Sequence, residues 1–220
     1  RYTSSDYMHQ EWDKLWTKVW LLACREEDLP EPGDHYVTEI GVESILLVRQ
    51  KDMSIRAFYN VCQHRGNKLV HSFEQPQEAA QSFKCKYHDW EYGLDGGFVD
   101  IPDLETFPQG APDCSGLASL PCDTWGSFVW FSLNPDVEPL KDYLGIIPEH
   151  LNPYHFERMV LTKTLTVEWD CNWKASVDAF NESYHVQGIH PQLLYYLDDK
   201  DIQIDCYEKH NRYLIAFSVL

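Results

Sequence analysis

The spacing of hydrophobic positions changes several times along the chain. In residues 6–20, Met8, Trp12, Leu15, Trp16 and Val19 recur at intervals of three and four, which predicts an amphipathic helix with its aromatic stripe turned to a core. The turn-rich stretch EDLPEPGD follows. Beyond it, the runs YVTEI, SILLVR and IRAFYNV are rich in β-branched and aromatic residues, so an antiparallel β unit is expected to begin near His35. LDGG at 94–97 marks a hairpin turn. After a proline-rich passage over 101–121, TWGSFVWFSL reads as one strand and EPLKDYL as a short helix entered through Pro139. RMVLTKTLTVEWD then alternates with period two and predicts a strand. NWKASVDAFNESYHVQGIHP has helical composition up to Gly188 and Pro191, and YLIAFSVL is again strand-like. No internal repeat appears. The pattern is that of an α+β chain with the first β domain closing near residue 150.

The chemistry concentrates between Cys62 and His88. C-x-H at 62–64 and C-x-x-H at 85–88, twenty residues apart, give two loops that each offer one thiolate and one imidazole. Cysteine thiolates hold iron-sulfur clusters, and in the Rieske form of the 2Fe-2S centre two histidines replace two cysteines on one iron. Each loop would then supply one ligand to each iron. A tetrahedral Cys2His2 zinc site uses the same residue types, although its usual pattern separates the cysteines from the histidines instead of interleaving them. The remaining alternative is coincidence, with Cys62 and Cys85 as small buried hydrophobes.

A second constellation, E-S-Y-H-V-Q-G-I-H, gives Glu182, His185 and His190. Glu182 and His185 share a helix face, whereas five residues turn His190 about 140° from His185 on an ideal helix. Both imidazoles reach one metal only if the helix is interrupted, and Gly188 and Pro191 are the expected site of the break. Two histidines with one carboxylate form the facial triad that holds non-haem Fe(II) with positions open for O2 and substrate.

The residues around these motifs, CQHRG, CKYHDWEYGLDG and Trp173, Lys174, Asp178, Phe180, Glu182, His185 and His190, resemble the Rieske non-haem iron oxygenases, the terminal components (alpha subunits) of aromatic ring-hydroxylating dioxygenase systems. The resemblance runs over nearly the whole chain. Around EQPQEAAQ the segment between the loops is longer, Asp89 stands where glycine is common, and Ala179 where asparagine is common. The resemblance implies a Rieske 2Fe-2S cluster on Cys62, His64, Cys85 and His88, and a mononuclear non-haem Fe(II) on His185 and His190. It gives Glu182 the role of linking the two centres across the subunit interface of a trimer. The third iron ligand is expected beyond residue 220, so the catalytic domain would be incomplete here, and Asp198, Asp199, Asp201 and Asp205 read as a solvated acidic loop. The implied domains are 1–34, a helix packing on the catalytic domain; 35–150, the Rieske domain; and 151–220, the start of a helix-and-antiparallel-sheet catalytic domain. Electrons would come from NAD(P)H through a ferredoxin and/or flavin reductase. O2 and a small aromatic or hydrophobic substrate would be consumed, in a homotrimer or alpha3beta3 assembly. The expected reaction is hydroxylation, as cis-dihydroxylation, with monooxygenation or demethylation as the alternative; a Rieske electron carrier and a zinc-stabilised interaction protein are rivals of a different class.

Charge and cysteine usage narrow the partners. Lys+Arg at 18 against Asp+Glu at 35 leaves −17, which repels nucleic acid and anionic membranes. No run approaches a membrane span and no signal peptide opens the chain, so a cytoplasmic protein is expected. Seven cysteines without a dense framework argue against a secreted disulfide scaffold. Cys24, Cys114, Cys122, Cys171 and Cys206 are expected as buried free thiols. Arg65, Lys68, Lys84 and Lys86 make the cluster loops locally basic, which suits an acidic electron carrier or offsets the cluster's own charge. Tyr184, Leu193, Leu194, Tyr195 and Tyr196 are candidates for an apolar cavity wall beside the iron.

Overall fold

Continuous apolar sequence in SILLVR, unlike the alternation on either side of it, belongs to a strand covered on both faces. In the computed structural model, which describes residues 1–71, 79–110 and 115–217, this strand is β3 (Glu43–Arg49). It lies between β2 (His35–Ile40) and β4 (Ile55–Tyr59) in an antiparallel sheet that β8 (Ser119–Leu120) completes on the far side of β4. Leu46 and Val48 enter one core with Phe58, Phe83, Trp90 and Tyr92. Ile45 and Leu47 point the other way into a second core with Leu29, Ala57, Val129 and Phe131. All four aliphatic side chains are fully buried, each stabilising by about 1.5–3 kcal/mol relative to exposure.

Two three-stranded antiparallel sheets flank this one. β1 (Trp20–Arg25), β10 (Phe128–Ser132) and β9 (Cys122–Trp125) form the first, in the order β1-β10-β9. The run TWGSFVWFSL is therefore a hairpin and not one strand: Gly126 and Ser127 have φ of +61° and +63°, and two consecutive positive φ values make the tight turn whose twist suits paired strands. β5 (Ser82–Lys84), β6 (Glu91–Gly93) and β7 (Phe98–Asp100) form the other sheet. The expected LDGG hairpin joins β6 to β7. Gly96 sits there at φ +83°, and a Cβ on it would lie 2.5 Å from the Phe58 ring. The short helices α2 (Leu140–Leu144), entered through Pro139 as expected, and α3 (Ile147–Leu151) follow.

The chain divides into two compact units, Gln10–Met159 and Arg1–His9 with Val160–Leu220. These boundaries differ from the expected 34/35 and 150/151. Pairing of β1 with β10 draws the segment after residue 20 into the sheet unit. Arg25 Nη2 donates to the carbonyls of Phe156 and Met159, both at 3.0 Å, and ties the end of that unit to its beginning. The opening helix is also shorter than its periodicity suggested. α1 covers Ser5–Glu11, a π-helical turn follows over Trp12–Trp16, and Trp20 already belongs to β1. Met8 is exposed, whereas Trp12 packs against the second core.

In the other unit, α4 (Trp173–Ala179) is capped by Asn172, whose side chain accepts from Lys174 N at 3.0 Å. A single turn, α5 (Val186–Ile189), precedes the antiparallel hairpin of β11 (Leu197–Cys206) and β12 (Asn211–Phe217). Residues 159–169, expected as a strand, have no regular structure. Their period-two pattern is real, but a strand needs a hydrogen-bonding partner, and among the described residues none is supplied. The loop segment around EQPQEAAQ and Cys114 lie partly or wholly outside the described residues, as does the end of YLIAFSVL. No helix among the described residues is long and apolar enough to cross a membrane.

Candidate metal centres

The two cysteine-histidine loops begin where β4 and β5 end. Asn60, fully buried, closes the base of the first loop: its Oδ1 accepts from Leu69 N at 3.2 Å and Val70 N at 3.1 Å, and its Nδ2 donates to Val70 O at 2.6 Å. Within the loop, Cys62 N donates to Asn67 O (2.9 Å) and Gly66 N to Cys62 O (3.0 Å). The second loop is the tip of the β5–β6 hairpin. Cys85 N donates to Trp90 O (2.8 Å) and Asp89 N to Cys85 O (2.9 Å), with Asp89 at φ +59°. That left-handed backbone explains why a residue without Cβ is common there; Asp is among the few others that tolerate it.

The fold brings the four predicted side chains together. Cys62 and Cys85 are buried beneath the loops, close enough for their thiols to hydrogen-bond. The His64 and His88 rings stand 4.5 Å apart between centroids. His64 is stacked on buried Trp90 at 4.7 Å and 9°, and Tyr87, largely exposed, lies 3.9 Å from His88. Burial, partly offset by the Tyr92 hydroxyl, holds the Cys62 thiol above its ordinary value. Burial pushes Cys85 up as well, but the N–H groups of Tyr87 and His88 with the Cys62 and Asn67 side chains outweigh it and bring Cys85 down. The two sulfurs are thus shifted in opposite directions.

The orphaned nitrogens test what such a site holds. Nδ1 of His64 and Nδ1 of His88 are both buried without a hydrogen-bond partner, a condition that costs about 1–3 kcal/mol for each unsatisfied group. A metal on these two nitrogens would supply the missing partner. A single zinc would require the four groups to converge on one point, and among the described residues no three His, Cys, Asp or Glu side chains are arranged to hold one ion. A donor set of two thiols and two imidazoles suits two irons, one on the thiol pair and the other on the imidazole pair. The basic character expected of the loops is reduced in place, because Lys68 Nζ meets Glu39 at 3.0 Å and Lys84 Nζ meets Glu91 at 3.6 Å.

In the other unit, His185 and His190 flank α5 as its N-cap and C-cap. The helical run is broken upstream, at 180–184, and not at Gly188, which lies within the turn. His190, at φ −125° and ψ 48°, has left helical conformation, which the following Pro191 disfavours. The two rings come within 5.3 Å at 77° to one another. The Glu182 carboxylate accepts from His185 N at 3.2 Å and pairs with Nδ1 of the same residue, leaving Nε2 for a metal. That hydrogen bond holds the Glu182 carboxyl below the usual carboxylate range. Asp198, Asp199, Asp201 and Asp205, expected as a solvated acidic loop, lie instead on strand β11, because the segment pairs with β12; Asp199 accepts from Gln187, Asp205 from Arg212, and Asp198 from the backbone of Lys200 and Asp201. Of the expected apolar wall, only Tyr184 lines the open 530 Å³ depression beside Glu182. Its other walls include Ser183, Gln187, Asp199 and Lys200, and Tyr195 and Tyr196 are exposed.

A Rieske [2Fe-2S] domain matches residues 19–121, and a ring hydroxylating alpha subunit (catalytic domain) matches residues 156–216. This chain belongs to the Rieske oxygenases. Among curated relatives, the carnitine monooxygenase oxygenase subunit of Acinetobacter pittii is 28% identical over 208 residues, covering 94% of this chain and 54% of that protein. The large oxygenase component of the naphthalene 1,2-dioxygenase system of Pseudomonas aeruginosa is 32% identical, covering 86% and 43%. A crystal structure of a quaternary ammonium Rieske monooxygenase superposes with a TM-score of 0.88 at 25% identity, covering 96% of this chain and 59% of that one. This chain therefore spans about half the length of the curated Rieske oxygenase subunits it matches. Three residues that build the Rieske loops had no role assigned from sequence: Asn60, Asn67 and Tyr92. A polar residue closing the apolar run AFYN was the one signal for Asn60.

Proposed function

We propose that this chain is the part of an oxygenase subunit that takes in electrons at a Rieske cluster on Cys62, His64, Cys85 and His88 and directs them to a mononuclear iron held by His185 and His190. The reaction proposed is monooxygenation of a quaternary ammonium compound. The observation that carries the metal assignment is the pair of buried, unpartnered imidazole nitrogens beside two adjacent thiols. When bound, the cluster supplies single electrons and the mononuclear iron supplies the site of O2 chemistry. The chain's own residues do the positioning. Trp90 fixes the plane of His64 by stacking, and Glu182 fixes the tautomer and orientation of His185. Glu182, held as a carboxylate, is also suited to accept a hydrogen bond from an imidazole of the cluster of a neighbouring subunit, linking the two centres in a trimer or alpha3beta3 assembly. The third iron ligand would come from residues beyond 220, and the electrons from NAD(P)H through a flavin reductase or ferredoxin.

The reaction type follows from relatives. The carnitine monooxygenase subunit and the quaternary ammonium monooxygenase structure, which cover nearly all of this chain, favour the monooxygenase reading over the cis-dihydroxylation expected first. Ring dihydroxylation stays as the second reading because the naphthalene dioxygenase component is 32% identical. The test is NADH- and O2-consumption by the intact protein with a compatible reductase, offered a panel of quaternary ammonium compounds and naphthalene. Stoichiometric product from an ammonium substrate supports the first reading. Turnover of naphthalene alone to a diol supports the second.

A further inference from the structure

We infer that Tyr2 and Tyr7 clamp α4, the helix that leads into the iron site, by closing with Trp173 around the ammonium of Lys174, and that this clamp fixes Glu182 in the position that retains the mononuclear iron. The inference rests on the ligand assignment proposed above and extends it to residues outside both motifs. Residues 1–9 and α4 belong to the same compact unit. Lys174, in the first turn of α4, is only 8% exposed. Such a charge is costly to bury unless its surroundings stabilise it. Its Nζ lies over three aromatic rings, 5.4 Å from the centroid of Tyr2, 5.4 Å from Tyr7 and 5.2 Å from Trp173, within the distance at which the face of a ring attracts a cation. Two of the three rings come from residues 1–9, so the buried lysine fastens that segment to the helix.

Tyr2 makes a second contact, because its hydroxyl donates to the Asp178 carboxylate. Lys174 and Asp178 are four residues apart and share a helix face. One side chain therefore spans that face, with its ring on the cation and its hydroxyl on the anion. The route from there to the iron site is short. α4 ends at Ala179, one residue after Asp178, and Glu182 follows three residues later. The neighbours of Glu182 are tied from the other side: Asn181 accepts from Asn211 of β12 at 2.7 Å, and Ser183 Oγ donates to Asp199 O of β11 at 3.0 Å. Glu182 is thus held between a clamped helix and a hairpin. With the clamp released, the carboxylate loses one of its supports and with it the fixed hydrogen bond to His185. A ligating imidazole without such a partner binds metal more weakly. Tyr2, Tyr7 and Lys174 are positioning residues, acting on the iron only through Glu182.

The test is equilibrium competition between the intact protein and a chelator for Fe(II), with acid-labile sulfide measured on the same samples to show that the cluster stays loaded. Lys174→Met keeps the stem and removes the charge. It is expected to keep parental sulfide and to hold the mononuclear iron about tenfold more weakly, the lower range for loss of support to a ligating histidine. Lys174→Arg, which returns a cation to the three rings, should restore most of the affinity. Tyr2→Phe keeps the ring and removes the hydroxyl, so its loss should be smaller. Lys174→Met with parental affinity overturns the inference, and so does Lys174→Arg as weak as Lys174→Met, because packing and not the cation would then explain the effect. If Lys174→Met does not fold, Tyr2→Ala decides, and an unchanged affinity there counts against the clamp. A parent protein that takes up no mononuclear iron overturns the ligand assignment instead.

Discussion

Each unit of the chain brings two histidines together, and the two do it by different means. His64 and His88 are carried on loops that extend from strands whose roots lie in a dense core, so residues 24 apart in sequence meet because the β3–β4 sheet and the β5–β6 hairpin share Phe58, Phe83, Trp90 and Tyr92. His185 and His190 are five residues apart and meet because one helical turn begins at one and ends at the other. Around them Phe180, Tyr184 and Ile189 are exposed and only Ser183 and Val186 are buried. The first geometry is set by long-range packing and the second by local backbone. Damage to the core should therefore reach the first site and spare the shape of the second.

The most direct way to break the comparison is to remove one cluster ligand. Cys85→Ser is expected to abolish acid-labile sulfide while leaving the mononuclear iron in place, which metal and sulfide analysis of the intact protein will show; loss of both metals together would mean the sites are not independent. Next in size is Glu182→Gln, which keeps the shape and removes the charge. It should leave the cluster spectrum intact and slow substrate oxidation by roughly 100-fold, the upper range for the partner of a metal-ligating histidine. Parental turnover would rule out the positioning role. Leu46→Ala, beneath the cluster loops, should cost about 2–5 kcal/mol in denaturant unfolding, whereas Tyr184→Ala, at 96% exposure, should stay within about 0.5 kcal/mol. Equal effects would contradict the contrast in packing.

The smallest effect concerns thiols and pH. Burial pushes the thiols of Cys24 and the half-buried Cys122 up to about 12, from an ordinary value near 9, while Cys171 and Cys206, expected as buried thiols, are exposed. Iodoacetamide at pH 8 should label the exposed pair first and spare buried Cys24, with half-buried Cys122 slower than the exposed pair. For a thiol whose folded value is raised, the stabilising contribution is complete below the unfolded value and is lost as pH rises. Between about 9 and about 12 the unfolded chain releases protons that the folded chain keeps, so stability should fall with rising pH in that window. A flat profile there would show that these thiols are not held in the core.

Much of the Rieske site was legible in the sequence because its ligands are chemically distinctive and their spacing is short within each loop. Cys62, His64, Cys85 and His88 could be picked out, and the LDGG hairpin beside them, without knowing what lay beneath. The supports were not legible. Asn60, Asn67 and Tyr92 act on backbone and sulfur atoms brought close by the fold, and nothing in local spacing marks an asparagine as the closure of a loop. The interruption expected at Gly188 and Pro191 occurs at Pro191 but not at Gly188, and a further break lies upstream. Gly188 was a plausible breaker on propensity alone, whereas the backbone leaves the helix at 180–184 and again before Pro191.

By itself, the sequence determined the residue chemistry: which side chains can ligate iron, which segments alternate, and which turns require a positive φ. These depend on identities and short separations, and they survive any arrangement of the rest. Tertiary structure alone decided that β1 joins β10, that TWGSFVWFSL folds back at Gly126, and that residues 159–169 are left without a strand partner. Pairing and burial are properties of two segments at once, so no single stretch of chain carries the information that fixes them.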